Sequence, residues 1–258
     1  MTGMAVVLCL VLGLVSFIAM SASRLLVTLY AIELGAQPFA VGMLFSTLLV
    51  VPLLLSLPVG VMSDRFGTRW LMTAGFASLV AGLALVYFLP SLPMFYAASA
   101  LNGVLLAINN VAVQHIMGVL SRPQDRARNF SNLALSGAAS NFLAPLIAGV
   151  SIDHLGYSRA ALVMMAIAVA GMALLLVWGG VLPRGRGRPE TRAGGTAGDR
   201  PSISAIWPLL LVSALVQLCT DLYLFYMPVY GRSVGLSATT IGTVLAAFSA
   251  AMFAIRTV

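Results

Sequence analysis

Charged residues are scarce in this sequence, and lysine is missing from it. Asp, Glu, Lys and Arg together make up 8% of the 258 residues, and all 14 basic residues are arginines. Hydrophobic residues make up 60%, and the mean hydropathy is +1.03. This composition excludes an ordinary soluble globular protein and predicts an integral membrane protein, with the lipid bilayer as its partner. The net charge of +7 does not indicate nucleic-acid binding, because the arginines lie in short segments between apolar runs, where membrane topology explains them.

Signs of an enzyme or a metal site are also missing. The two cysteines, Cys9 and Cys219, lie inside apolar runs without metal-ligand spacing, and we expect both to be buried free thiols. The sequence contains no nucleophile–base arrangement, phosphate-binding loop or zinc-ligand spacing. We therefore predict that the chain is not an enzyme and holds neither a cofactor nor a metal.

Long apolar runs dominate what is present. An apolar stretch of about 20 residues spans the hydrocarbon core as a helix. The runs are too long for barrel strands and do not alternate in polarity. We therefore predict an all-α membrane protein with eight spans, at residues 4–32, 39–62, 70–89, 94–118, 129–151, 160–182, 203–230 and 237–256.

The arginines predict the orientation. Ten of them fall in segments on one side of the predicted spans, whereas the opposite segments hold only Arg159 and Arg232. Because cytoplasmic loops carry the excess of basic residues, both termini are predicted to be cytoplasmic. Residues 183–202, rich in Pro, Gly and Arg, are predicted to be a flexible cytoplasmic linker between a six-helix bundle, 1–182, and two further helices, 203–258.

An internal repeat is visible at an offset of 200 residues. The offset aligns Tyr30 with Tyr230, Gly35 with Gly235, Val41 with Ile241 and Gly42 with Gly242. Both segments place a glycine at the turn between the first and second helix of a half. Parallel halves of this kind are expected in some transporters.

A charged hairpin lies between the second and third spans. Its sequence, Gly60-Val-Met-Ser-Asp64-Arg65-Phe-Gly67-Thr-Arg69, has the form G-x-x-x-D-R-x-G-x-R. It resembles the signature loop of the major facilitator superfamily of secondary transporters. Gly60 is expected to let two helices pack closely, and Gly67 to permit a tight reversal.

The resemblance implies a helical bundle of twelve spans, of which eight are present here. It also implies a gating role for the loop, in which Asp64 helps to lock the outward-facing state of the transporter. The alternative is a hairpin that only fixes the topology. The repeat predicts a counterpart of Asp64 near position 264, beyond Val258. We therefore expect a chain truncated after the eighth span: a fragment, a shortened reading frame or an unusually short member.

The fifth predicted span carries Gly137, Asn141, Pro145 and Gly149. This pattern partly resembles the fifth-helix motif of drug–proton antiporters, and it implies export. In the fourth span, Ser99 stands where proton-coupled exporters carry a membrane arginine.

Two ionisable residues lie within spans, Arg24 in the first and Asp221 in the seventh. Such residues are costly at membrane depth and usually face a cavity or a partner. They are predicted to form a substrate or proton site, the alternative being a structural role. Asn109 and Asn110 suit either a polar cavity wall or hydrogen bonds between helices.

Together these features predict a secondary transporter that moves a small solute by alternating access, with proton-coupled efflux as the favoured form. An uptake symporter and a non-transporting, truncated or regulatory membrane protein are the alternatives. The predicted location is a bacterial cytoplasmic (inner) membrane. The predicted partners are a small-molecule substrate and protons.

Overall fold

The computed structural model describes residues 2–122, 124–181 and 203–257. Within them the chain forms eight α-helices and one short 3₁₀ helix, without a β-strand. The helices are α1 (Thr2–Glu33), α2 (Pro38–Phe66), α3 (Thr68–Phe88), α4 (Leu92–Leu120), α5 (Arg126–Leu155), α6 (Tyr157–Trp178), α7 (Ile203–Ser233) and α8 (Ala238–Thr257), with the 3₁₀ helix at Gly179–Val181.

Short turns join these helices into antiparallel pairs. Gly67 and Gly156 are each the only residue between two helices, and both adopt the positive φ angles, 82° and 79°, that glycine tolerates best. The turns after α1, α3, α5 and α7 lie at one end of the bundle, which we call the Glu33 end. We call the opposite end the Arg69 end.

The predicted repeat is visible in the backbone of two turns. Gly35 and Gly235 have φ angles of 83° and 80°. The N–H of Gly35 donates to Ile32 at 2.9 Å, and that of Gly235 donates to Arg232 at 3.1 Å. The residues before and after each glycine repeat the same helix-ending hydrogen bonds. The turns α1–α2 and α7–α8 are therefore built alike.

The core surrounds α1, which packs against α4, α5 and α6. Lipid gives helices no hydrophobic reason to associate, so close contact depends on small residues. Gly171 of α6 illustrates this, because a Cβ there would lie 2.7 Å from the ring of Phe76 in α3. Gly103 likewise allows close contact between α4 and α2, because a Cβ there would lie 2.8 Å from the Leu48 carbonyl oxygen.

The all-α membrane fold predicted from the sequence is confirmed. Seven described helices are long and apolar enough to cross a membrane, and the apolar part of α8, Ala238–Ala254, is shorter. The helices extend beyond the predicted spans: α5 begins at Arg126 rather than 129 and ends at Leu155 rather than 151. Helical hydrogen bonding continues through the charged residues that flank each apolar run. Spans predicted from hydropathy are therefore shorter than the helices. The predicted linker 183–202 lies outside the described residues.

The prediction for the cysteines is half right. Cys9 is a buried free thiol. Cys219 is free but exposed, and for this residue the prediction of burial was wrong. The reason is its position on α7, whose surface is largely uncovered within the described chain.

Candidate functional site

A small cavity lies between α1, α2 and α4. It is narrow, with room for about one water molecule, and part of it is open to the surroundings. Its polar lining comes from Arg24 and Thr28 of α1 and from Ser99 and Asn102 of α4, and its apolar lining is Val27, Leu44, Phe45 and Leu48. Arg24 lies nine residues before Glu33, or about 14 Å along the helix, which places the cavity near mid-bilayer.

Arg24 makes no hydrogen bond or ion pair with any described residue. Its guanidinium lies 5.5 Å from the centre of the Phe45 ring, which suits a cation–π contact. The carboxylate of Asp221 on α7 acts on Arg24 through its charge but is not within ion-pair distance. Asp221 accepts a hydrogen bond from Gln217 at 3.1 Å. The structure thus brings the two predicted charges into electrostatic range without joining them.

The remaining polar groups of the cavity have spare hydrogen-bonding capacity. The Thr28 and Ser99 hydroxyls make no hydrogen bond with a described residue, but neither oxygen is fully buried. The amide nitrogen of Asn102 donates to the Met20 carbonyl at 3.2 Å. The side-chain oxygen of Asn102 is buried and has no partner among the described residues.

The spacing of the polar residues in the sequence also indicates this site. Arg24 and Thr28 are four residues apart, and Ser99 and Asn102 three apart, so each pair lies on one helix face. Polar residues so spaced in apolar helices are candidates for one cavity. The contribution of Phe45 required the fold.

Asn109 and Asn110 do not line the cavity. Asn109 is buried, and its side-chain oxygen accepts a hydrogen bond from Ser16 of α1 at 2.8 Å. Its amide nitrogen has no partner among the described residues. Asn110 is exposed on the neighbouring face. Asn109 thus joins α4 to α1, as the alternative interpretation had it, and a substrate role for either residue stays a prediction.

A second polar group joins three helices at the Glu33 end. Arg232 of α7 forms an ion pair with Glu33 of α1 and donates to the Tyr157 hydroxyl of α6 at 2.8 Å. Tyr157 stacks on Tyr30, with ring centres 5.0 Å apart. From its position in the sequence, Arg232 is predicted only as a loop charge. The repeat indicates this ion pair, because Glu33 and Arg232 have opposite charges and lie at the ends of the two corresponding helices, α1 and α7.

Asp153 makes the corresponding link between α5 and α8. Its carboxylate accepts the backbone N–H of Ala238 at 3.1 Å and that of Thr239 at 2.7 Å. These are the first residues of α8, whose N–H groups have no partner within the helix. A carboxylate there satisfies two donors and complements the helix dipole. This contact also lies at the Glu33 end.

The predicted fifth-helix residues form a stripe along α5, four residues apart. At Gly149 a Cβ would lie 2.5 Å from the Ala238 carbonyl oxygen, and at Gly242 of α8 it would collide with the Pro145 carbonyl. At Gly137 a Cβ would meet no described atom within 4 Å, and Asn141 is exposed. The close contact of α5 with α8 is therefore at Pro145 and Gly149, near the Glu33 end.

The signature loop is placed at the Arg69 end. Gly67 makes the predicted tight reversal, with its N–H donating to Ser63 at 3.1 Å. No described atom lies within 4 Å of a Cβ at Gly60, so close packing there stays a prediction. Arg69 donates to the Leu176 carbonyl at 2.7 Å, and so it caps the end of α6. Asp64 and Arg65 lie on the last turn of α2, and their side chains are outside the described part.

Comparison with known proteins gives one result. Residues 9–258 match the family model for the Major Facilitator Superfamily. No curated protein matches the chain. The match extends over nearly all of the sequence and agrees with the helical membrane architecture and with the signature loop. The chain therefore belongs to the Major Facilitator Superfamily, whose members are secondary transporters of small solutes.

Proposed function

We propose that the chain moves a small solute by alternating access, in which a six-helix bundle, residues 1–182, moves against the two helices of residues 203–258, joined to it by the segment 183–202. One observation carries the proposal: α7 and α8 contact the first six helices near the Glu33 end, whereas residues 207–219 of α7, toward the Arg69 end, are exposed within the described chain. The polar cavity lies between these two ends. This is the arrangement of a state closed at one face, with its site at mid-membrane.

Proton coupling is the next part of the proposal. Asp221 is an acidic group at membrane depth on α7, which packs against α1 and α2, and Arg24 is the cation in its electrostatic range. Such a pair changes its net charge when the carboxylate takes up a proton. Proton-coupled exporters carry a membrane arginine at the position that Ser99 occupies on α4. In the proposal Arg24 of α1, which lines the same cavity, takes the role of that arginine. We assign the proton to Asp221.

Export is the direction that the fifth helix supports. The resemblance to antiporters rests on the stripe at Pro145 and Gly149, and these two residues make the close contact with α8. Proton–solute symport, and so uptake, is the second candidate. It is favoured by Arg24, because a cation facing the cavity repels cationic solutes and attracts anionic ones.

The topology completes the proposal. With the arginine-rich segments in the cytoplasm, the Arg69 end and both termini are cytoplasmic, and the Glu33 end faces outward. The proposed location is the cytoplasmic membrane of a bacterium. In this orientation the proposed state, closed at the Glu33 end, faces the cytoplasm.

The test uses protein expressed from its complete gene and reconstituted in liposomes. Solutes are screened for counterflow, and uptake is then driven by an imposed pH gradient of either sign. Antiport predicts accumulation in vesicles that are acidic inside, and symport predicts accumulation when the outside is acidic. Asp221→Asn should abolish the response to pH while leaving counterflow intact.

Asp125→Asn is the matched control, since Asp125 pairs with Arg128 outside the cavity at 3.1 Å. Coupling should be unchanged in that variant. A pH response that survives in Asp221→Asn contradicts the proton assignment. Absence of counterflow for every solute contradicts transport.

A further inference from the structure

The three tryptophans of the sequence all lie at the Arg69 end, and all three are exposed. Trp70 is in the first turn of α3, Trp178 is the last residue of α6, and Trp207 is near the start of α7. Their exposed fractions are 65%, 57% and 62%. Tryptophan is enriched at the level of the lipid headgroups, where its ring lies against apolar chains and its N–H reaches water. The exposed rings therefore indicate the headgroup level at this end of the bundle.

Arg69 lies beside two of these rings. Its Nη2 donates to the Leu176 carbonyl at 2.7 Å, and a Cβ on Gly179 would lie 3.0 Å from its Nε. Trp70 follows Arg69 in α3, and Trp178 lies between the two α6 residues that Arg69 contacts. A guanidinium and two exposed indole rings thus share one level of the α3–α6 pair.

One edge of this guanidinium is available to a ligand. Nε is buried against Gly179, whereas Nη1 makes no hydrogen bond with a described residue and is not fully buried. Nη2 has a second N–H besides the one that bonds to Leu176. No described carboxylate forms an ion pair with Arg69. Two donors on one edge of a planar cation match two oxygens of a phosphate group.

We propose that Arg69, Trp70 and Trp178 bind the headgroup of an anionic phospholipid at the Arg69 end of the α3–α6 pair. The guanidinium edge binds the phosphate, and the indole rings pack against the glycerol and the adjoining acyl chains. Phosphatidylglycerol is preferred over phosphatidylcholine and phosphatidylethanolamine, because the ammonium groups of these two offset the phosphate charge. This lipid site is on the outer surface of the bundle and does not depend on the transport proposal.

Fluorescence quenching by brominated lipids tests the site. The protein is expressed from its complete gene, with Trp207→Phe and with Trp70 and Trp178 as its only tryptophans, and is reconstituted in phosphatidylcholine bilayers. Bromine on the acyl chains quenches a tryptophan that it contacts, so the quenching reports the lipid beside these two rings. Brominated phosphatidylglycerol is expected to bind there about fivefold more strongly than brominated phosphatidylcholine. Brominated phosphatidylethanolamine should show no such preference.

Variants assign the preference to one arginine. Arg69→Gln should remove it, and Arg69→Lys should retain part of it, because the charge remains while the planar fork is lost. Arg128→Gln is the matched control, since Arg128 is an arginine of the same end whose side chain is 74% exposed. The preference should be unchanged in that variant.

Each remaining outcome overturns the proposal. Equal quenching by the three lipids, or a preference that persists in Arg69→Gln, excludes a headgroup site at Arg69. A loss in Arg128→Gln as large as that in Arg69→Gln indicates a general attraction of basic residues to the anionic surface. Displacement of the brominated phosphatidylglycerol by excess inorganic phosphate indicates a site for a free anion. If Arg69→Gln does not fold, the lipid comparison, Arg69→Lys and Arg128→Gln still decide.

Discussion

Arg232→Gln should open the Glu33 end of the bundle. In the structure Arg232 holds both Glu33 and the Tyr157 hydroxyl, and glutamine removes its charge. The side chains of Arg232 and Glu33 are 25% and 47% exposed, so solvent screens the pair and its contribution is about 1 kcal/mol. The Tyr157 hydrogen bond adds about 0.5 kcal/mol. The sum, about 1.5 kcal/mol, corresponds to roughly a tenfold shift between closed and open states.

A single reporter cysteine measures this shift. Thr28→Cys places a thiol beneath the Glu33 end, in a background with Cys219→Ser so that the exposed native thiol does not react. Cys9 is buried and is left in place. A membrane-impermeant thiol reagent added from the Glu33 side should modify Thr28→Cys about ten times faster when Arg232→Gln is present.

Two controls make the result specific. Arg159→Gln removes the same charge from the same end without touching the ion pair, and it should leave the labelling rate unchanged. The double exchange Glu33→Arg with Arg232→Glu should restore slow labelling, because it re-forms the pair in reverse. Labelling that is equally fast in Arg159→Gln, or unchanged in Arg232→Gln, refutes the reasoning.

Three further predictions follow from the helix contacts. Asp153→Ala removes the cap of α8, a loss of about 1 kcal/mol, and should increase the labelling rate of Thr28→Cys about fivefold. Asp153→Asn should retain most of the cap. Gly149→Ala should separate α5 from α8 and also speed labelling, but Gly137→Ala should not, because only the first Cβ meets backbone. Gly103→Ala should cost about 1–3 kcal/mol, seen as a lower melting temperature, whereas Gly60→Ala should not be destabilising.

The eight helices could be predicted because bilayer thickness imposes a length on each apolar run. Their ends could not, because backbone hydrogen bonds and turn glycines such as Gly156 determine them. The repeat predicted two similar turns, and Gly35 and Gly235 share their geometry. In each case the information was local to the chain.

The site was only partly accessible to sequence reasoning. Arg24 and Asp221 were identified because charge is rare at membrane depth. Their partners depend on how helices distant in sequence meet: Phe45 reaches Arg24 from α2, and Arg232 reaches Glu33 across 199 residues. Neither contact has a periodic signature. Asn109 shows the converse, since its polarity suggested a cavity, whereas it bonds to Ser16.

The α1 and α7 helices carry charges in reversed order, and this links the site to the closed end. On α1, Arg24 precedes Glu33 by nine residues, and on α7, Asp221 precedes Arg232 by eleven, or about 14 and 17 Å. The outer charges are in contact, and the inner pair interacts at longer range. Both attractions favour the same approach of α7 to α1. A proton on Asp221 would weaken the inner attraction and leave the Glu33–Arg232 pair to hold the helices together. We therefore expect protonation of Asp221 and opening of the Glu33 end to be coupled through these two helices.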